Sequence, residues 1–196
     1  MTPEYDHDTQ LMIKVQKGDL RSFEVLVDKH KNAVVGTIYK MLGDVSEAED
    51  VAQHVFIQIY KAAPRYEPKA KFTTWMYTIV RNLSLNEIRR RGTHKLQSLQ
   101  AMEDPADDTA PIQLEDVTAK NPSIELGHQE LEDKIQLALN DLPESQRLAL
   151  VLRRYDDMSY DDIAKVLKCS VSATKSIIFR ARETMKEKLK PYLQGE

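Results

Sequence analysis

Residues 159–182 read SYDDIAKVLKCSVSATKSIIFRAR, and this stretch decides the fold. Ser159 followed by Asp162 has the form of a capping box, which opens a short helix with Ile163, Ala164 and Leu167 turned inward. Lys168-Cys169-Ser170 is too short to be anything but a tight connection, and a longer helix begins directly after it. Two helices joined by so brief a turn predict a helix-turn-helix. At about 100° per residue, Val171, Thr174, Ile178, Ala181, Met185 and Leu189 share one stripe of the second helix, and Ser172, Lys175, Ser176 and Phe179 point away from it.

The same three-and-four spacing continues outward on both sides, with no sustained alternation of the kind a strand needs. A helix is predicted around Leu131 to Leu139, and another opens at Pro143, which suits a first helical position. In the other half of the chain Asp19 caps a helix running to Met41, with Phe23, Leu26, Val27, Val34, Ile38 and Met41 or Leu42 inward. Ser46 and Glu49 form a capping box for a second helix that buries Val51, Val55, Ile59 and Ala52. Pro64 and Pro68 break the chain into a loop. A third helix runs from about Thr73 to Arg91, with Phe72, Met76, Ile79 or Val80, and Leu83 as its core stripe.

The fold class is therefore all-α. Gly92 and Gly127 bracket a segment that holds Pro105, Pro111 and Pro122 and has little helical periodicity, which divides the chain into two small helical domains, 1–92 and 128–196, joined by a flexible linker, 93–127. Net charge over the 196 residues is only -3, yet its distribution is uneven. Residues 1–92 carry 14 basic and 12 acidic side chains, the linker 2 and 7, and residues 128–196 carry 12 of each. Within the domains, residues 65–95 hold eight Lys or Arg against Glu67 and Glu87, and residues 168–190 hold seven against Glu183 and Glu187. Two basic patches separated by an acidic tether point to nucleic acid as a partner.

Other classes are set aside by composition. The longest apolar run, Leu148 to Leu152, is too short for a membrane span, and Glu4, Asp6 and Asp8 stand where a signal peptide would be basic; no membrane insertion and a cytoplasmic location are expected. Cys169 is the single cysteine, read as a small turn residue, so no disulfide framework is available. His7, His30, His54, His94 and His128 have no metal-ligand spacing and no Gly-rich phosphate loop exists. No metal, no cofactor and no catalytic residues are expected, and the chain does not read as an enzyme.

Two surfaces can serve nucleic acid. On the helix after Ser170, Ser172, Ala173, Lys175 and Ser176 sit where a recognition helix reads base edges, with Arg180 and Arg182 placed for phosphate; the competing reading of Arg182, Lys186 and Lys188 is a solvated helix face. In the first domain Tyr60, Tyr66, Phe72, Trp75 and Tyr77 interleave with Lys61, Arg65, Lys69 and Lys71. Aromatic faces beside cations suit unpaired bases, each stack being worth about 1–3 kcal/mol. Trp75, Asn82, Asn86 and Arg89 fall on one edge of the third helix. Trp75 is either a packed core residue or a stacking platform, whereas two mid-helix asparagines suggest hydrogen bonding to something outside the helix. Arg89-Arg90-Arg91 places positive charge at the expected helix C-terminus.

These pieces together resemble the bacterial extracytoplasmic-function (ECF) sigma factors, the small members of the sigma-70 family. The resemblance rests on Gly18-Asp19 with Phe23, Ala48 to Gln53 with Phe56, Phe72-Thr73-Thr74-Trp75-Met76 with Ile79, Asn82 and Arg89-Arg90, Leu142-Pro143, Ser159 to Ala164, and Val171 through Lys175-Ser176 to Arg182. It implies a factor that binds core RNA polymerase, through its largest and second-largest subunits, and directs it to promoter DNA, both duplex and single-stranded, with an anti-sigma protein as a further partner. It implies that Glu49, Asp50, Gln53 and Phe56 dock on polymerase. It also implies that Arg65, Lys69, Lys71, Trp75, Asn82, Asn86, Arg89 and Arg90 take the -10 element, and that Ser170, Ser172, Ala173, Lys175, Ser176, Arg180 and Arg182 read the -35 element. His54 stands where the family usually has an acidic residue, Asn86 replaces an Asp, Ser172-Ala173 a frequent Gly-Thr and Ile177 a frequent Arg. The alternatives are a free-standing helix-turn-helix regulator, which has no need of the Asp50/Gln53 helix, and an adaptor that sequesters another sigma factor.

Overall fold

A computed structural model describes the backbone of residues 5–101 and 122–194, with side chains for 5–93 and 130–192. Among the described residues the secondary structure is helical throughout: α1 (His7–Gln16), α2 (Leu20–Leu42), α3 (Val45–Ala62), a single 3-10 turn (Ala63–Arg65), α4 (Phe72–Ala101), α5 (Pro122–Asn140), α6 (Glu144–Arg154), α7 (Tyr160–Leu167) and α8 (Val171–Gln194).

The sequence reading did not anticipate α1. Asp6 caps it, accepting from the Thr9 N–H at 3.0 Å and the Thr9 hydroxyl at 2.9 Å, and Leu11, Met12 and Val15 are buried. Two of its inward positions are polar, Asp8 and Thr9, which hides the apolar period. Asp8 pins α1 to α2 through Lys29 Nζ at 2.6 Å and His30 Nε2 at 3.0 Å. Burial pushes the Asp8 carboxyl up, but these partners outweigh it and hold it below the usual carboxylate range. Thr9 Oγ1 accepts the Phe72 N–H at 3.2 Å, tying α1 to the otherwise orphaned first turn of α4.

Asp19 caps α2 as its sequence position predicts, and the helix ends at Gly43, whose left-handed φ of 77° an L side chain would strain. Two arginines close that end. Arg91 donates to the Leu42 carbonyl at 2.7 Å and pairs with Glu47, and Arg147 donates to the Met41 carbonyl at 2.6 Å. The start of α3 is a correction: Asp44, not Ser46, is the cap, accepting from the Glu47 N–H at 2.8 Å, and Ser46 and Glu49 are exposed. Asp44 leaves the tight turn at Gly43 extended and so reaches the first free N–H groups before Ser46 can. The expected stripe Ala52, Val51, Val55 and Ile59 is buried, with Ala48 added.

Helix α4 is longer than its predicted end at Arg91. Residues 93–101 of the expected linker extend it, and 122–127 begin α5; the remaining linker residues, 102–121, lie outside the described residues. Arg89-Arg90-Arg91 therefore sits within the helix rather than at its C-terminus, and two of its charges are met by side chains instead of the helix dipole: Arg90 forks onto Glu87, and Arg91 pairs with Glu47. In the second half Ser159 caps α7 as expected, accepting from the Asp162 N–H at 3.1 Å, and Pro143 takes the cap position one residue ahead of the predicted one. The helix-turn-helix connection is closed by Lys168 at φ 57°, with the Cys169 N–H on the Ala164 carbonyl at 3.0 Å.

The two halves pack against each other. Helix α4 lies against α7, and α2 against α5 and α6. One buried apolar cluster runs through both, from Met12, Ile38, Phe72 and Val80 to Leu148, Leu152, Ile163 and Ile178. Fully burying a side chain of this size is worth about 1.5–3 kcal/mol, which makes the shared cluster the main source of cohesion.

Candidate nucleic-acid interfaces

Helix α8 is presented as its spacing predicts. Thr174, Ile178 and Ala181 are buried beneath α8, while Ser172, Lys175, Ser176, Arg180 and Arg182 are exposed and Ala173 is half-buried. Ser170 is the N-cap, accepting the Ala173 N–H at 3.1 Å, so its hydroxyl proton remains available to a ligand at the helix start. Ser176 donates to the Ser172 carbonyl at 3.2 Å. Ile177 is half-buried and packs toward the core, which accounts for an apolar residue on this helix. Phe179, at 65% exposed, is the large apolar side chain most open to solvent among the described residues. Along this face runs an open groove of about 610 Å³, lined by Tyr160, Lys175, Ser176, Phe179, Arg180 and Arg182. Tyr160 carries cations on its ring, Arg153 at 5.3 Å and Lys175 at 6.0 Å, which steadies Lys175 by cation–π attraction. Phe179 lies on the predicted outward face, but nothing in the sequence marked Tyr160 or Arg153 as neighbours of it.

The N-terminal surface differs from the expected one. Tyr66, Phe72 and Tyr77 are core residues, 3%, 0% and 4% exposed. Aromatic rings bury large areas, and here Tyr66 meets Trp75, Phe72 lies against His30 of α2, and Tyr77 donates its hydroxyl to Asp156 of the other half, rather than facing a strand. Trp75 is half-buried, its ring edge on Tyr66 at 4.9 Å and tilted against Phe72 at 6.1 Å. Only Tyr60 of the five stands exposed, tilted on Phe23 at 5.2 Å. What remains is a polar row on α4, Asn82, Asn86 and Arg89, all exposed, beginning beside the half-buried Trp75. Asn82 Oδ1 accepts from Arg81 at 3.3 Å, which leaves its amide N–H₂ to donate elsewhere.

The loop cations are also exposed, but two are engaged. Lys69 pairs with Glu67, and Lys71 meets Asp162 at 3.3 Å. Among the described residues Arg65 and Arg89 form no ion pair.

The third surface is on α3. Glu49, Asp50 and Gln53 are exposed together with His54, and Phe56 is half-buried. Beside this polar face α3 exposes Ile57 and Tyr60, and α2 exposes Leu20 and Val25. Exposed apolar side chains rimmed by charge are the usual mark of a protein-binding surface, and Ile57, Leu20 and Val25 add to the single apolar residue, Phe56, expected there from the sequence. Among the described residues no group of His, Cys, Asp and Glu is arranged to hold a metal, and no helix is long and apolar enough to cross a membrane.

Known proteins share these features. Residues 26–93 match sigma-70 region 2 and residues 132–185 match sigma-70 region 4. The RNA polymerase sigma-H factor of Pseudomonas aeruginosa is 36% identical over 189 residues, spanning 96% of this chain and 97% of that protein. The ECF RNA polymerase sigma-E factor of Haemophilus influenzae is 31% identical over 95% of this chain and 97% of its own length, and the ECF RNA polymerase sigma factor SigW of Bacillus subtilis is 32% identical over 92% and 98%. The fold is that of CnrH, solved in complex with the cytosolic domain of CnrY, with a TM-score of 0.70 at 22% identity over 94% of this chain and 98% of that one. The chain belongs to the sigma-70 family, as one of its extracytoplasmic-function sigma factors.

Proposed function

We propose that this chain acts in the cytoplasm as a promoter-specificity subunit, binding core RNA polymerase, placing it on promoter DNA and assisting strand opening, with no catalysis of its own. Its α3 face, Glu49, Asp50, Gln53 and Phe56 with Ile57 and Tyr60 beside them, docks on polymerase. Asn82, Asn86 and Arg89, with Arg65, Lys69, Lys71, Arg90 and the rim of Trp75, take the unpaired -10 strand. The α8 face, from Ser170, Ser172, Ala173, Lys175 and Ser176 to Arg180 and Arg182, reads the -35 duplex. Residues 1–92 then serve polymerase and the -10 element, 93–127 connect, and 128–196 serve the -35 element.

The observation that carries this reading is the presence of three separate exposed faces in one chain that matches both sigma-70 regions. A free-standing regulator would need only the α8 face. An anti-sigma protein is a further partner: the sigma factor RpoE of Bartonella quintana, which shares the fold at a TM-score of 0.65 and 24% identity, was solved in complex with the anti-sigma factor NepR.

Transcription from a randomised promoter library with core polymerase plus this protein tests the reading. Defined start sites sharing two spaced motifs are expected. Tight sequence-specific duplex binding by the chain alone, with no polymerase-dependent initiation, would favour the regulator instead.

A further inference from the structure

Along the seam between the two halves, α4 and the first turn of α6 border a cavity of about 270 Å³. Arg81 and Arg89 line it from α4 with Leu85 between them, so the three follow a single i, i+4, i+8 row of that helix. Arg81 is half-buried and Arg89 exposed. Among the described residues neither guanidinium has an ion pair, and neither has an acid three or four positions away on α4. Glu87, the acid nearest to Arg89 in sequence, is held by Arg90 and Arg91. Arg81 itself reaches only its neighbour, donating from Nη1 to Asn82 Oδ1 at 3.3 Å.

The α6 side of the cavity is also rich in donors. Pro143 stands at the cap position of α6 and offers no side-chain hydrogen bond. The N–H groups of Gln146 and Arg147 turn back to the Pro143 carbonyl, each at 2.9 Å, but those of Glu144 and Ser145 have no carbonyl within the helix to reach. The Ser145 hydroxyl lines the cavity beside them, and Leu148 and Leu167, both buried, complete the lining. Guanidinium forks on one side and the positive end of a helix on the other form a receptor for an oxyanion.

We propose that this cavity binds a small anion carrying a diphosphate, held between the guanidinium groups of Arg81 and Arg89 and the first turn of α6. The spacing selects the ligand: eight residues place the two arginines about 12 Å apart along the helix, a span that suits two linked phosphoryl groups better than one. The volume lies just below the roughly 300 Å³ at which pockets for drug-sized ligands begin, which favours a compact ligand over a polymer. Glu144, half-buried, lines the same space, and its carboxylate opposes an anion and so weakens the affinity. Arg89 also belongs to the -10 row, but the site stands apart from the promoter reading, in which Arg81, Ser145 and the start of α6 have no part.

Isothermal titration calorimetry of the full chain with inorganic pyrophosphate in metal-free buffer tests the proposal, with orthophosphate and a nucleoside diphosphate as parallel arms. Pyrophosphate should saturate one site, and orthophosphate should bind at least about tenfold more weakly, having fewer oxygens for the same donors. Arg81→Ala should weaken pyrophosphate binding by about tenfold or more, the loss of hydrogen bonds to a charged group. Arg81→Lys keeps the charge without the planar fork and should recover part of that affinity, and Glu144→Gln should strengthen binding. Far-ultraviolet circular dichroism confirms that each variant is folded. A nucleoside diphosphate that binds no more tightly than pyrophosphate identifies the diphosphate itself as what is read, and a tighter one adds a contact from its sugar or base; both uphold the site. Absence of saturable pyrophosphate binding, or orthophosphate binding of equal strength, overturns it. Weaker binding in Glu144→Gln overturns the assignment of an anion. An equal loss from Arg81→Ala and from Lys175→Ala on α8 would show diffuse attraction to surface cations instead of a site, and overturns it as well.

Discussion

Helices α4 and α8 were read by the same rule and came out differently. On α8 the inward stripe Thr174, Ile178 and Ala181 is buried and the outward set Ser172, Lys175, Ser176 and Phe179 is exposed, as a helix with one packed side requires. On α4 the core stripe Phe72, Met76 and Val80 is buried, but so are Thr74, Tyr77 and Ser84. The cause is contact on two sides: α1, α2 and α3 pack on one flank of α4 and α7 on another. A helical wheel assigns faces correctly where the partners, here α5, α6 and α7 beneath α8, gather on one side, and undercounts burial where the far half of the chain returns to cover a second face.

The sharpest way to break that comparison is to remove one aromatic from each helix. Phe72 is fully buried, so Phe72→Ala should destabilise the protein by about 3–5 kcal/mol. Phe179→Ala should change stability by less than about 0.5 kcal/mol, being exposed. Urea denaturation followed by circular dichroism measures both. A large loss from Phe179→Ala would mean that α8 packs on something its exposure does not reveal, and the contrast between the helices would collapse.

Next in size is Lys175→Ala. If Lys175 reads a base edge, polymerase-dependent binding to the cognate -35 sequence falls by about 1–3 kcal/mol and discrimination at one base pair relaxes. The steadying ring of Tyr160 at 6.0 Å favours this role over a free-swinging phosphate contact. A salt slope reduced by about one with specificity intact would demote the residue to phosphate. For α4 the matching probe is Asn82→Ala, which removes an exposed amide without touching the core. It should lower promoter opening by up to about tenfold, the worth of one neutral hydrogen bond, with initial binding little changed. Permanganate reactivity of unpaired thymines reports opening directly. Trp75→Ala is the poorer probe, because its contacts with Tyr66 and Phe72 mix packing with any stacking.

How legible each part was follows from the same physics. Helices with apolar stripes and a near cap, Asp19 for α2 and Ser159 for α7, could be read directly. Helix α1 could not, since Asp8 and Thr9 face inward and their partners Lys29, His30 and Phe72 are remote in sequence. The basic and aromatic cluster around residues 60–77 was visible as composition, but composition carries no depth, and Tyr66, Phe72 and Tyr77 went to the core. The seam was invisible for a related reason: Asp156 and Asp162 look like ordinary loop and helix-start acids, and only packing brings Thr37, Tyr77, Thr74 and Lys71 to them. Burial pushes the Asp156 carboxyl above the usual carboxylate range, and the Tyr77 hydroxyl is likewise raised by burial and then by that carboxylate.

The two halves also end a helix in the same left-handed conformation with different residues, and this gives the smallest predicted effect. Gly43 closes α2 at φ 77°, while Lys168 closes α7 at φ 57°. An L side chain in that region costs about 1–2 kcal/mol, and a glycine there adds back about 0.5–1 kcal/mol of unfolded-chain entropy. Lys168→Gly should therefore stabilise the protein by about 0.5 kcal/mol, read as a shift of the urea midpoint with the slope unchanged. The Lys168 side chain is exposed, so the substitution removes little else of structural weight. A loss of stability would show that this side chain supports the turn into α8 in a way glycine cannot, and that the C-terminal cap is not simply the N-terminal one with a costlier residue. A stabilised variant with weaker promoter binding would instead place Lys168 among the cations that α8 and its turn present to DNA, where the strain at the cap is retained for its charge.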